Sequence, residues 1–197
     1  MSKKEKIAKF YRFWMSQIDK SLSVYKKNKI INSIPAIYIF YYYLKLLEKF
    51  LGNKIENIQR INMIWGVKEE DKKAILAHLY YLPKTIPAHK KDRYKNIISQ
   101  KFEKIYLDVS RLSSEVLTLK DFFNYYQEKK KNRFSKLNKK LLILLYEIHY
   151  DKKFQLFLKN IFDSTEKNKN ILIIATFSSD SEKIYQPKKY QKKKFYN

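Results

Sequence analysis

Three histidines, His78, His89 and His149, stand far apart in the chain, and none has a second ligand at a metal-site spacing such as HExxH. The one tight cluster of acids, Glu69, Glu70 and Asp71, is what the start of a helix selects electrostatically. No GxSxG, phosphate-loop or paired-carboxylate pattern with a supporting context is present. The residues therefore argue for no enzymatic activity, no cofactor and no metal. The residue type that does form patterns is lysine.

Lys129 to Lys140 (KKKNRFSKLNKK) holds seven positive residues and no acid: Lys129, Lys130, Lys131, Arg133, Lys136, Lys139 and Lys140. A loop from Lys84 to Lys95 carries Lys90, Lys91 and Arg93. The C-terminal stretch KIYQPKKYQKKKFYN has six lysines and no acid. There Lys188, Lys189, Lys192, Lys193 and Lys194 interleave with Tyr190, Phe195 and Tyr196. A solvated basic face is the ordinary explanation for such runs, but it gives exposed aromatic rings no role. Rings that stack on unpaired bases, beside lysines that meet phosphates, make the tail the best candidate for RNA contact, with the run and the loop beside it.

Composition sharpens this expectation. The 197 residues include 43 Lys plus Arg against 19 Asp plus Glu, a formal charge of +24. The bias toward Lys, Ile, Asn, Tyr and Phe is that of an AT-rich genome. Such genomes usually raise glutamate with lysine, however, so codon bias does not explain the sign. A charge this large resists compaction unless a counter-charge is near. The absence of cysteine excludes disulfides, thiolate zinc sites and cysteine nucleophiles. Two glycines, against an average of about fourteen for this length, leave no glycine-rich loop and none of the glycines that RRM or KH modules need. An apolar content of 45% excludes wholesale disorder.

The elements that must carry these residues read mostly as helix. Ile7, Tyr11, Trp14, Ile18, Leu22 and Tyr25 form one stripe. A second helix starts after Ser33, with Pro35 in its first turn, and stops at Gly52 in a left-handed cap. A short third helix carries Ile55, Ile58, Ile61 and Ile64, and a fourth runs from about Glu69 to Leu82. The alternating spacing of Ile98, Phe102, Ile105, Val109, Leu112, Val116 and Leu119 predicts a long heptad-like helix. Thr118 and Asp121 have capping-box spacing for a helix with Phe122, Phe123 and Tyr126. Ser135 begins a helix bearing Leu137, Leu141, Leu144, Leu145 and Ile148, and Phe154 to Ile161 continue in helical register. Ile171 to Phe177 (ILIIATF) reads as a strand whose partner is left open: its own chain, the core, or another protein's sheet edge. Ile34 to Leu47 is apolar but too short, and too interrupted by charge, for a membrane span, and reads as a core helix.

The expected fold is thus mainly α: an irregular helical bundle with one long heptad-like helix and at most one or two short strands. It comprises a helical domain over 1–177 and a basic extended tail over 178–197. In composition the chain resembles ribosomal proteins, with a helical body and basic, aromatic-bearing extensions; no motif carries the likeness. The expected function is a structural RNA-binding component of a large ribonucleoprotein, specifically a ribosomal protein of an AT-rich mitochondrial ribosome. Its partners would be rRNA and neighbouring proteins. The first fifteen residues read as neither a secretory signal nor an import peptide. That places the protein in the matrix as an organelle-encoded product, or in the cytoplasm of an AT-rich bacterium. The alternatives are a helical accessory subunit of a membrane-associated complex and a nucleic-acid-handling subunit of a bacterial or viral complex.

Overall fold

The computed structural model describes residues 1–28, 33–65, 67–82, 84–86, 88–167 and 169–178. At its centre is a four-stranded sheet, every neighbouring pair parallel, in the order β1-β4-β3-β2. Its strands are β1 (Ile61–Ile64), β2 (Glu103–Asp108), β3 (Leu141–Tyr146) and β4 (Ile171–Thr176). Around them lie α1 (Lys3–Asn28), α2 (Ile34–Leu51), α3 (Glu69–Tyr80), α4 (Lys95–Ser99), α5 (Val109–Ser114), α6 (Leu119–Lys130) and α7 (Phe154–Ser164). This is an α/β fold and corrects the expectation of a mainly-α bundle.

Two misread segments account for the correction. LLILLY, assigned by leucine spacing to a helix from Ser135, is β3, and Leu141 to Leu145 are all buried. A parallel strand covered on both faces has no polar alternation, so its run of leucines carries no strand signature. The heptad-like seam from Ile98 to Leu119 is divided among α4, β2, α5 and the first residue of α6. Within it Ile105, Tyr106 and Leu107 are buried consecutively, and Val116 is exposed in a left-handed turn at φ 57°. The third expected helix is a 3-10 turn, Asn57–Arg60, leading into β1.

Other local signals hold. Ser33 caps α2 by accepting from Ala36 N–H, and Pro35 lies in its first turn. Gly52 ends that helix at φ −79°, however, and the left-handed conformation falls on Asn53 at φ 58°. Thr118 and Asp121 form the capping box of α6, whose Phe122, Phe123 and Tyr126 are buried. ILIIATF pairs within its own chain, between β1 and β3.

The order of the strands decides which face each helix covers. The chain crosses from β1 to the far edge at β2, then steps back through β3 and β4. Right-handed crossovers in opposite directions place their helices on opposite faces. Accordingly α2 and α3 pack on Tyr106, Leu142, Leu144, Leu172 and Ile174. On the other face, α6 and α7 pack on Ile105, Leu107, Ile143, Leu145 and Ile173. Helix α1 passes from one side to the other, with Ile7 and Phe10 in the second core and Leu22 in the first. Between them Trp14 Nε1 donates to the Tyr106 carbonyl at 2.6 Å, covering the edge strand β2.

The apolar segment Ile34 to Leu47 lies in α2, and Ala36, Phe40, Tyr43, Leu44, Leu46 and Leu47 are buried against α3 and the sheet. No helix among the described residues is long and apolar enough to cross a membrane. Of the three consecutive tyrosines, Tyr43 is buried and donates to the Met63 carbonyl, while Tyr42 is 46% exposed.

Candidate functional site

A parallel sheet gathers all strand beginnings at one end and all strand ends at the other. The amino ends of β2, β3 and β4 lie side by side: Glu103 N–H donates to the Lys140 carbonyl, and Leu141 N–H to that of Asn170, both at 2.9 Å. The sequence-predicted basic run falls here. Lys129 and Lys130 close α6, and Lys131 is its left-handed cap. Arg133 precedes the turn Phe134–Lys136, Lys136 ends it, and Lys139 and Lys140 immediately precede β3. The pairing adds three lysines that linear spacing did not single out, Lys101 and Lys104 at β2 and Lys169 before β4.

Some of these lysines are held in place. Lys140 Nζ lies 3.4 Å from the Lys169 carbonyl and 4.7 Å from the Phe50 ring centroid. Lys104 Nζ donates to the Leu82 carbonyl at 2.5 Å, and burial, with Lys84 nearby, pushes its amine down to about 8. It is still mostly protonated at neutral pH. A purely structural use for such lysines is to neutralise helix C-termini. The two helices ending beside the run, α6 and α7, present about half a negative charge each. Seven cations far exceed that demand. Glu103, Glu128 and Glu166 stand nearby and reduce the surplus without removing it.

The loop residues are dispersed. Lys90 Nζ sits 3.7 Å from the Tyr41 ring centroid on α2, and Lys91 and Arg93 are exposed. The tail candidates, Lys188, Lys189, Tyr190, Lys192, Lys193, Lys194, Phe195 and Tyr196, lie outside the described residues. The structure does not bring the histidines together. His78 is in α3 with its ring edge-on to Phe40, His89 is in the loop, and His149 follows β3.

At the opposite end, the carboxyl ends of the strands open on a cleft of about 510 Å³ lined by Glu69, Lys72, Ser110, Tyr146, Glu147 and Tyr150, among others. This is where α/β sheets place ligands, at the point where successive connections leave toward opposite faces. Sequence reading missed it because Glu69 and Glu147 are 78 positions apart and meet only through the β1-β4-β3 order. Glu147 is 6% exposed, and its backbone is left-handed at φ 56°, ψ 55°. Its N–H donates to Thr176 Oγ1 at 2.8 Å, and that hydroxyl donates to Glu147 Oε1 at 3.3 Å. The Tyr146 hydroxyl donates to Glu69 Oε1. Burial first, and then the Glu69 carboxylate, push the Glu147 carboxyl up to about 7, with Lys72 opposing. Burial and Lys72 hold His149 toward its neutral form, although its Nδ1 lies 3.3 Å from Glu147 Oε2.

The connection into α3 has a familiar spacing. Nucleotide-binding proteins place GxxxxGK[ST] between a strand and a helix, so that backbone N–H groups and the lysine cradle phosphates. After β1, Gly66 and Lys72 have that separation, but Asp71 replaces the second glycine and Lys73 the hydroxyl. Gly66 itself lies outside the described residues. Lys72 is 2% exposed; its Nζ donates to the Phe177 carbonyl at 2.5 Å and lies 3.5 Å from Glu69 Oε2.

The positive end of α3 already faces Glu69, Glu70 and Asp71, which repel a phosphate. In phosphate-loop enzymes Mg²⁺ is held by the loop hydroxyl and by an aspartate. Here Lys73 stands in the hydroxyl's place, 5.3 Å from the centroid of the Tyr146 ring at the end of β3. A cationic amine where a cation would bind does not fit Mg²⁺. Among the described residues no group of three or more His, Cys, Asp or Glu could hold a metal ion. No protein family, curated protein or solved structure matches the chain.

Proposed function

We propose that this chain is a non-catalytic nucleic-acid-binding subunit of a large assembly, holding phosphate backbone against the amino ends of β2, β3 and β4. The observation that carries the reading is the parallel pairing that sets Lys101 and Lys169 beside the run from Lys129 to Lys140. Contacts of this kind are to phosphate and carry little base readout. RNA within a ribonucleoprotein, specifically the rRNA of an AT-rich mitochondrial ribosome, is the form of this reading that the composition favours. Titration against RNA over a range of salt tests it. Affinity falls with a log–log slope of about −0.7 per phosphate contact on single strands, and a flat salt response would remove the proposal. Sedimentation of the native protein with and without RNase tests the ribonucleoprotein setting: release by RNase supports it, and unchanged sedimentation contradicts it.

The parallel sheet with a cleft at its strand ends favours a second reading: a subunit of a nucleic-acid-handling complex, such as a replication or defence assembly. Binding of the isolated protein to free DNA, duplex or single-stranded, separates it from the first. In both readings the acids at the start of α3 and the amine in the hydroxyl's place keep a nucleotide phosphate and its Mg²⁺ out of the cleft. Millimolar ATP or GTP with Mg²⁺ is therefore expected to move the melting temperature by less than about 2 °C. A stabilisation of several degrees would contradict this exclusion.

A further inference from the structure

We propose that the outward face of α2 is a second RNA contact, which takes unpaired bases of a single strand on Tyr38 and Tyr42 while Lys45 and Lys49 meet its phosphates. It rests on the nucleic-acid reading and deepens it, from phosphate backbone in general to RNA with a single-stranded segment.

Tyr38, Tyr42, Lys45 and Lys49 recur at intervals of four, three and four, which puts them on one side of an α-helix. All four are exposed, Tyr38 at 71% and Tyr42 at 46%. The opposite side of α2 is fixed in the core by Ala36, Phe40, Leu44, Leu47 and Leu51, so the stripe cannot turn inward. At roughly 1.5 Å per residue it is about 16 Å long, room for a few nucleotides. The Tyr42 ring is braced edge-on by Tyr43, with centroids 5.2 Å apart, and Tyr43 is itself anchored by its hydroxyl on the Met63 carbonyl. Beside Tyr38 and Lys45, the Tyr41 ring is covered by Lys90, which adds a cation to the same side.

Charge and position decide the partner. Glu48, half-buried, is the one acid of α2. Lysines near the carboxyl end of a helix ordinarily answer its dipole, and Lys49 in the last turn does so, but Lys45 lies a turn earlier, where that attraction has faded. The stripe also leads to the basic rim: Lys140 Nζ, immediately before β3, lies 4.7 Å from the ring centroid of Phe50, the neighbour of Lys49. A strand leaving the rim along α2 therefore meets two lysines and then two aromatic faces. Stacking there accepts any base and, unlike a phosphate contact, releases no counterion. An anionic membrane would attract the lysines too, but an interfacial helix needs a bulky apolar face along its length. Here the apolar face is buried in the core and half of the exposed stripe is lysine.

Tyr38→Leu together with Tyr42→Leu, in the full chain, removes both rings and keeps an apolar, helix-forming residue at each position. Binding is measured by fluorescence anisotropy over a range of salt, on a labelled oligo(U) strand and on an A·U RNA duplex of the same length. Affinity for the single strand is expected to fall at least about tenfold with its salt slope unchanged, and affinity for the duplex to stay within about twofold. Lys45→Gln with Lys49→Gln should instead flatten the single-strand slope by about 1.4. If the double tyrosine variant loses its helical signal, Tyr38→Leu alone serves, with an expected fall of at least about threefold. Native affinity for the single strand in whichever variant folds, or equal losses on strand and duplex, overturns the proposal and leaves the salt-dependent reading of the rim standing. A flat salt response of the native protein removes both. Unchanged RNA binding with loss of binding to phosphatidylglycerol vesicles overturns it in favour of a membrane surface.

Discussion

Replacing Lys101, Lys136, Lys139 and Lys169 together by serine is expected to weaken RNA binding by two to three orders of magnitude at about 0.1 M salt. All four side chains are exposed, so the helical and sheet signal of the protein should not change. Each phosphate contact on a single strand contributes about 0.7 to the log–log salt slope, so losing four flattens it by roughly three. The deficit then closes near 1 M salt, where the counterion term vanishes. Serine at Lys68 and Lys152, exposed at the carboxyl end of the sheet, is the control and should leave the slope within about half a unit of the native one. A control loss half as large, in proportion to the two charges removed instead of four, would mean that net charge alone, rather than the strand amino ends, sets the affinity.

The second large effect concerns Arg60, which enters β1 and is 2% exposed. Its Nη1 donates to the Thr165 carbonyl at 3.2 Å and to Thr165 Oγ1 at 2.7 Å, and its Nη2 donates to the Phe162 carbonyl at 3.3 Å. The guanidinium carbon lies 4.8 Å from the Phe162 ring centroid. One side chain thus caps the negative end of α7 and ties it to the start of the edge strand. Arg60→Met would remove three charge-assisted bonds, while the Phe162 and Thr165 carbonyls keep the N–H groups of Thr165 and Lys169, at a cost of about 2–4 kcal/mol. For a chain of this size that lowers the melting temperature on the order of 10 °C. Arg60→Lys should recover only part of the loss, because a single ammonium lacks the planar fork that reaches both carbonyls. A melting temperature within about 3 °C of native for Arg60→Met would show that the helix end is held by other means.

These two arginine and lysine roles differ in how far they could be read in advance. The run from Lys129 to Lys140 is contiguous, so its charge is visible in one dimension. Lys169 joins it only through the β3–β4 register, and Arg60 finds Thr165 only because β1 lies beside β4. The same distinction separates the elements. Helices α1, α2, α3, α6 and α7 each have an amphipathic stripe or a cap within one segment, which local chemistry reports. In β4, Ile171, Ile173 and Ile174 are β-branched, which marks a strand even without alternation. β3 has one isoleucine among leucines, and leucine favours helix. Only burial between two helical layers makes it a strand.

By itself, the sequence determined the charge imbalance, the lack of thiol chemistry, most helix positions and the caps at Ser33 and Thr118, because each depends on composition or on residues a few positions apart. Tertiary structure alone decided that four short apolar runs pair in parallel, that the lysines before them share one rim, and that Glu69 and Glu147 meet at the other end. The physical reason is that parallel pairing satisfies backbone groups across dozens of intervening residues. The free energy that selects it comes from covering both faces of the sheet at once, which no local window contains.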